Sequence, residues 1–114
     1  MDSKSQTVKI RFEDVTVAEG GQRAEELRNE LLDIGAVSNN DVEIAKDDPR
    51  TQDFGATLVM LLGAPAAVVL ARGIRNYLER RGGSITVESD GKVVAKGVHG
   101  SDVARIVEAI FKKK

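Results

Sequence analysis

Apolar and polar positions alternate from Thr7 to Glu13, with Val8, Ile10 and Phe12 on one side and Lys9, Arg11 and Glu13 on the other. That period of two predicts a half-buried strand. The phase then shifts to Val15 and Val17, so a strand end or a bulge is expected near Asp14. Over residues 20–34 the period changes. Ala24, Leu27, Leu31 and Ile34 recur at helical spacing and predict a helix with one buried stripe. Glu25 and Glu26 then fall in its first turns, where the helix dipole favours negative charge. Gly35 follows the last apolar residue as a left-handed cap. After a turn through Ser38, Asn39 and Asn40, residues 42–46 predict a short strand with Val42 and Ile44 inward. Residues 47–53 read as a loop, and Pro49 keeps the preceding strand from continuing as a central one.

Residues 54–71 carry no charge, and the stretch after them is amphipathic. Leu70, Ile74, Tyr77 and Leu78 share one helical face, and Arg72, Arg75 and Glu79 share another. The expectation is a helix from about Ala56 to Arg80, kinked near Gly63 and Pro65, because proline cannot donate the backbone bond to Leu61. Two abutting helices, with Pro65 in the first turn of the second, satisfy the same pattern. Over residues 84–96, two β-rich runs flank Asp90-Gly91, the dipeptide of a two-residue type I′ hairpin turn. In that register Val87 faces Val94. Ser101 is placed as the cap of a last helix whose Val103, Ile106, Val107 and Ile110 make an apolar stripe.

The predicted order is β-α-β-α-β-β-α. Its layered solution is an α+β two-layer sandwich, a four-stranded sheet with helices mainly on one face. Residues 1–114 form one domain, with 1–6 and 112–114 as loose tails. The 114 residues suffice for one modest core. Aromatic residues are only 4% of the chain, so that core is aliphatic.

Net charge changes the functional picture. With 17 basic and 18 acidic side chains, the chain lacks the basic excess by which a nucleic-acid binder neutralises phosphates. No nucleic-acid partner is expected, and Lys112, Lys113 and Lys114 read as a solvated tail. The absence of cysteine excludes disulfides, cysteine zinc sites and thiol catalysis. The polar N-terminus lacks an apolar signal core, which makes a cytoplasmic location the default. The uncharged run approaches the minimum length of a membrane span, yet it contains glycine and proline and has no aromatic belt. A buried or interface helix is the expectation there, and no membrane insertion.

The candidate chemical sites reduce to structural readings. His99, the single histidine, has Ser101 and Asp102 as neighbours but no recognisable triad, and reads as a loop residue. Asp47, Asp48 and Asp53 lack the spacing of a calcium loop. Gly20-Gly21 precedes a predicted helix, but the glutamates that follow would repel phosphate. The Arg80-Arg81-Gly82-Gly83 run is internal and reads as a cationic helix end with a glycine cap. The residues themselves suggest no catalytic centre, metal or cofactor.

From the small-residue apolar run, through IRNYLERRGG and the hairpin ITVESDGKVV, to SDVARIVEAI, the chain resembles the effector-associated constant component family of bacterial conflict systems. Tyr77 stands where tryptophan is the expectation for that family. The resemblance implies a small accessory protein whose partner is a protein effector, often protease-like and encoded nearby. Such a component would recognise a trigger or restrain the effector. The arginine-bearing ridge of Arg72, Arg75, Glu79 and Arg80 reads either as a plain solvated charged face or as the partner surface, since arginine is enriched at binding hot spots. Two alternatives stand beside this reading. One is a small-ligand sensor holding its ligand between sheet and helices. The other is a homo-oligomer assembled through the apolar helix. An enzyme ranks last.

Overall fold

The computed structural model describes residues 6–46, 56–62 and 67–112. Within them the order is β1 (Gln6–Phe12), α1 (Val17–Asp33), β2 (Val42–Lys46), β3 (Ala56–Leu62), α2 (Ala67–Arg81), β4 (Ile85–Ser89), β5 (Lys92–Val98) and α3 (Val103–Lys112). The strands form one five-stranded sheet in the order β2-β3-β1-β4-β5, with every neighbouring pair antiparallel. α1 joins β1 to β2, which flank β3, and α2 joins β3 to β4, which flank β1. These are two interleaved split β-α-β units, the ferredoxin-like arrangement. The hairpin partner β5 and the helix α3 extend it at one edge.

The α+β class is as the sequence predicts, but the sheet has five strands where four were expected. The difference lies in residues 56–62. The expected long helix from Ala56 to Arg80 is a strand followed by a shorter helix that starts at Ala67. Leu58 and Met60 are fully buried on the side that carries Val8 and Ile10, their register partners on β1. Thr57, Val59 and Leu61 point to the opposite side. A run apolar on both faces has no alternation to betray a strand, and a short apolar run fits a buried strand and a buried helix equally well. The expected kink at Gly63 and Pro65 and the loop with Pro49 lie outside the described residues.

The other elements follow their local signals closely. β1 ends at Phe12, and Asp14 adopts φ +55, which accounts for the phase shift. α1 begins three residues earlier than expected. Thr16 caps it, with its Oγ1 accepting from Glu19 N at 3.1 Å while Thr16 N donates to Glu19 Oε1 at 3.1 Å, a reciprocal capping box. Gly20 and Gly21 therefore lie inside the helix, and the first-turn acid is Glu19 in place of Glu25 and Glu26. At the other end Gly35 sits at φ +79, with Gly35 N donating to Leu32 O and Ala36 N to Leu31 O. That is the Schellman stop, and only a residue that tolerates left-handed geometry closes it without strain. Gln6, counted with the loose tail, belongs to β1 and donates from Nε2 to Ile110 O at 3.1 Å. Lys112 likewise belongs to α3.

One face of the sheet and the inward stripes of all three helices share a single aliphatic core. β1 contributes Val8, Ile10 and Phe12, α1 contributes Ala24, Leu27 and Leu31, and α2 contributes Leu70, Ile74, Tyr77 and Leu78. Val103, Val107 and Ile110 come from α3. Each large aliphatic side chain so buried is worth about 1.5–3 kcal/mol of transfer free energy. α1 and α2 meet at Gly73, where an added Cβ would stand 2.6 Å from Leu31 Cδ2 and 2.8 Å from Ile34 Cδ1. No helix among the described residues is long and apolar enough to cross a membrane.

The β4–β5 hairpin turns at Asp90 (φ +53) and Gly91 (φ +87), the type I′ geometry. The turn holds the predicted pairs Ser89–Lys92 and Glu88–Val93, but Val87 then faces Ala95 in place of Val94. A bulge absorbs the extra residue, and a second shift before Ile85–Val98 lets Val98 return to the core. Replacing Gly91 by valine forces a β-branched residue into the left-handed region, at a cost of about 1–2 kcal/mol. Thermal unfolding should register this as a Tm lowered by about 5–10 °C. An unchanged Tm would contradict the turn geometry.

Candidate functional site

The helices carry the ridge expected to meet a partner. Arg72, Arg75, Asn76 and Glu79 are exposed on α2. Arg75 Nε lies 3.2 Å from Glu79 Oε2 in an i,i+4 ion pair, so these two charges partly neutralise one another. Arg72 has no hydrogen bond or ion pair among the described residues. Arg80 departs from the expected grouping: it turns towards α1 and pairs with Glu30 Oε1 at 2.5 Å. The ridge is thus Arg72, Arg75 and Glu79, with Arg80 serving the contact between helices. On one flank Gly100 packs against Glu79 and the backbone of Arg75, where an added Cβ would stand 2.9 Å from Glu79 Cγ and 3.3 Å from Arg75 O.

Beside Arg80 lies a polar cluster that the sequence does not announce. Tyr77 is 1% exposed, yet its hydroxyl is not orphaned. It donates to Glu26 Oε1 at 2.8 Å and accepts from Arg23 Nε at 3.2 Å. Arg23 also donates to Gly82 O at 2.6 Å, and its guanidinium lies 5.0 Å from the Phe12 ring centroid and 5.3 Å from that of Tyr77. Arg81 Nε approaches Glu26 Oε1 at 3.1 Å. The hydrogen bond from Tyr77 holds the Glu26 carboxyl below its ordinary range, with the Arg81 charge acting in the same direction against a desolvation that opposes both. Burial pushes the Tyr77 phenol up. These groups join α1 to the end of α2, and every polar atom of the tyrosine is satisfied within the fold.

A second cluster centres on Glu13, just past β1. Its carboxylate accepts from Ser84 Oγ at 2.7 Å, Thr86 Oγ1 at 2.5 Å and the backbone N of Gly97 at 2.8 Å. One side chain thereby ties the end of β1 to the start of β4 and to the second irregularity of β5. Burial pushes the carboxyl up, but the hydrogen bonds outweigh it and leave the group below its ordinary value. His99 is close enough for its charge to act in the same direction.

His99 itself is exposed, and its backbone N donates to Asp102 Oδ2 at 3.4 Å. Ser101, expected as the cap of α3, lies within the 3-10 turn Gly100–Asp102 that leads into the helix, and His99 stands at the N-cap of that turn. No group of three histidine, aspartate or glutamate side chains among the described residues could hold a metal ion. Asp47, Asp48 and Asp53 fall outside those residues. A small gap between the sheet and helices α2 and α3 is lined by aliphatic side chains alone, including Ile10, Leu70, Ile85 and Val107.

The outer face of the sheet is the remaining surface. Across the strands the register sets Glu43, Val59, Lys9, Glu88 and Val93 in one row, from β2 to β5. Arg11 lies one step along β1 and reaches Glu88 Oε2 at 3.9 Å. The alternation of β1 placed Lys9, Arg11 and Glu13 on this side, but their partners come from strands distant in sequence.

Comparison with protein-family models, with curated proteins and with solved structures found no match.

The Glu13 cluster gives the protein an acid-sensitive contribution to stability. A carboxylate whose pKa is depressed on folding stabilises the native state above its unfolded value, and that stabilisation is lost as pH falls through the folded value. Glu13→Gln should cost roughly 1–3 kcal/mol at neutral pH. In urea titrations the gap from wild type should narrow as pH drops below about 4.3. A gap that stays constant into acid would show that the charge of Glu13 contributes nothing.

Proposed function

We propose that this protein is a non-catalytic accessory module that binds a protein effector, in the manner of the effector-associated constant components of bacterial conflict systems. The observation that carries the reading is how the polar side chains are distributed. Arg23, Glu26, Tyr77 and Arg81 satisfy one another between helices, and Glu13 ties three segments of the sheet. Among the side chains left outward on the helical side are Arg72 and Arg75, the cations of the α2 ridge. An arginine that keeps its charge when partly desolvated suits a protein contact.

The resemblance motifs occupy consecutive elements: IRNYLERRGG ends α2, ITVESDGKVV spans β4 and β5, and SDVARIVEAI leads into α3. The small-residue apolar run departs from the helical expectation, since residues 56–62 are β3. Against a ligand sensor stands the aliphatic lining of the gap under the sheet, which offers a small molecule no polar anchor. The homo-oligomer reading loses its apolar helix but acquires a different surface, the outer face of the sheet.

The ridge is tested by the double variant Arg72→Glu with Arg75→Glu. Both side chains are exposed, so the Tm should stay within a degree or two of wild type. Calorimetry against the effector encoded beside this protein should then show affinity reduced by at least about tenfold. Unaltered affinity in the folded variant would remove the ridge as the contact. Failure of the wild-type protein to bind any neighbouring effector would remove the effector reading itself.

A further inference from the structure

We infer that the outer face of the sheet binds a second copy of this chain, through a two-fold contact centred between β1 and β4. This goes beyond the effector reading and does not depend on it. The basis is the order of side chains in one row across the sheet. Val59 on β3 is the register partner of Lys9 on β1, Lys9 of Glu88 on β4, and Glu88 of Val93 on β5. Read from β3 to β5 the row is apolar, cation, anion, apolar. Three inter-strand steps separate its ends, about 14 Å.

A two-fold axis that lies in the interface, parallel to the strands and midway between β1 and β4, reverses the order of the row. Each Lys9 then meets Glu88 of the other copy, and each Val59 meets Val93 of the other copy. Arg11, one step further along β1, comes over Thr86, its own register partner on β4. Several other placements of the axis fail on charge. An axis along β1 sets Lys9 against Lys9, and one midway between β3 and β1 sets Glu88 against Glu43. An axis running across the strands at Lys9 sets it against itself, and one midway to residue 11 sets it against Arg11. Like charges brought face to face cost several kcal/mol, so these placements are disfavoured against the one that pairs Lys9 with Glu88. The rotation keeps the strands of the two sheets nearly aligned, as face-to-face sheets pack.

Exposure on this face is uneven, with Thr57 only 4% exposed beside Arg11 and two large apolar side chains standing out into solvent. Val93 is 51% exposed, and Leu61, one step along β3 from Val59, is 49% exposed. Both are large apolar side chains on a face that no helix of the described residues covers. Lys9 has no ion pair among the described residues, whereas Glu88 has Arg11 at 3.9 Å. Glu43 at the β2 end falls outside the reversed row, where its charge meets nothing of like sign.

The test uses the full chain and two reciprocal charge reversals, Lys9→Glu and Glu88→Lys. Sedimentation velocity across the micromolar range should show a dimer for the wild type. Each variant alone should associate roughly a hundredfold more weakly, because it sets like charges against each other in both contacts. Mixed in equal amounts, the two variants should recover the dimer, since an acid then faces a lysine at both positions. Should either reversal fail to fold, Val93→Asp on the edge strand should weaken the dimer without touching the charge pair. A wild type that stays monomeric at the highest concentration, a dimer that persists undiminished in Lys9→Glu, or a mixture of folded variants that remains monomeric would each overturn the inference. Loss of effector binding in Lys9→Glu, with a monomeric wild type, would instead assign this face to the effector.

Discussion

β1 hydrogen-bonds to β3 along one edge and to β4 along the other, and every larger feature of the protein rests on that double pairing. The two split β-α-β units each contain a gap of one strand, and β1 fills the gap of the second while β3 fills that of the first. Neither unit can close its sheet without the other. The core depends on the same strand, since Val8, Ile10 and Phe12 are the residues over which the helical stripes converge. Burial on one face of β1 and pairing on both edges leave only its outer side chains facing away from the core.

The helices are held to one another by a few specific contacts. Gly73 leaves room on α2 for the side-chain tips of Leu31 and Ile34 from α1. Further along, the Tyr77 hydroxyl lies in a site too buried for water to satisfy it, so Glu26 and Arg23 must. An unpaired hydroxyl there would forfeit the stabilisation that ring burial brings, at about 1–3 kcal/mol. The cluster thus joins α1 to the C-terminal part of α2. Glu13 plays the corresponding part in the sheet: it accepts from the backbone of Gly97 in the irregular stretch of β5, next to Val98, which pairs with Ile85 in the core. The charged side chains that look like candidate chemistry thus divide into those that hold the frame and those that the frame presents.

That division leaves two unlike surfaces. The α2 ridge is charged and carries arginines. The outer sheet face carries the row Glu43, Val59, Lys9, Glu88 and Val93. The two do not compete, because they lie on opposite layers, and a dimer joined through its sheets would display two ridges.

Much of this architecture was already legible in the chain. The alternation of β1, the stripe and glycine stop of α1, the Asp90-Gly91 turn and the apolar stripe of α3 are all local. Each reports burial on one face, and a single buried face leaves a period in the sequence. β3 left none, because Thr57, Leu58, Val59, Met60 and Leu61 are non-polar or nearly so on both sides, and only pairing between β2 and β1 distinguishes that strand from a buried helix. The exposed α2 ridge followed from helical spacing, but the departure of Arg80 to Glu30 did not, since its partner lies 50 residues away. Glu13 reaches 71 to 84 residues along the chain for its hydrogen bonds, and the row from Val59 to Val93 gathers side chains from four strands. The sequence by itself determined most of the buried stripe residues, though not Ile34, which is 43% exposed, and where most elements start and stop, because those depend on neighbours a few residues away. Only the tertiary structure decided which strands pair and which charges meet, because those depend on distances the chain closes only when it folds.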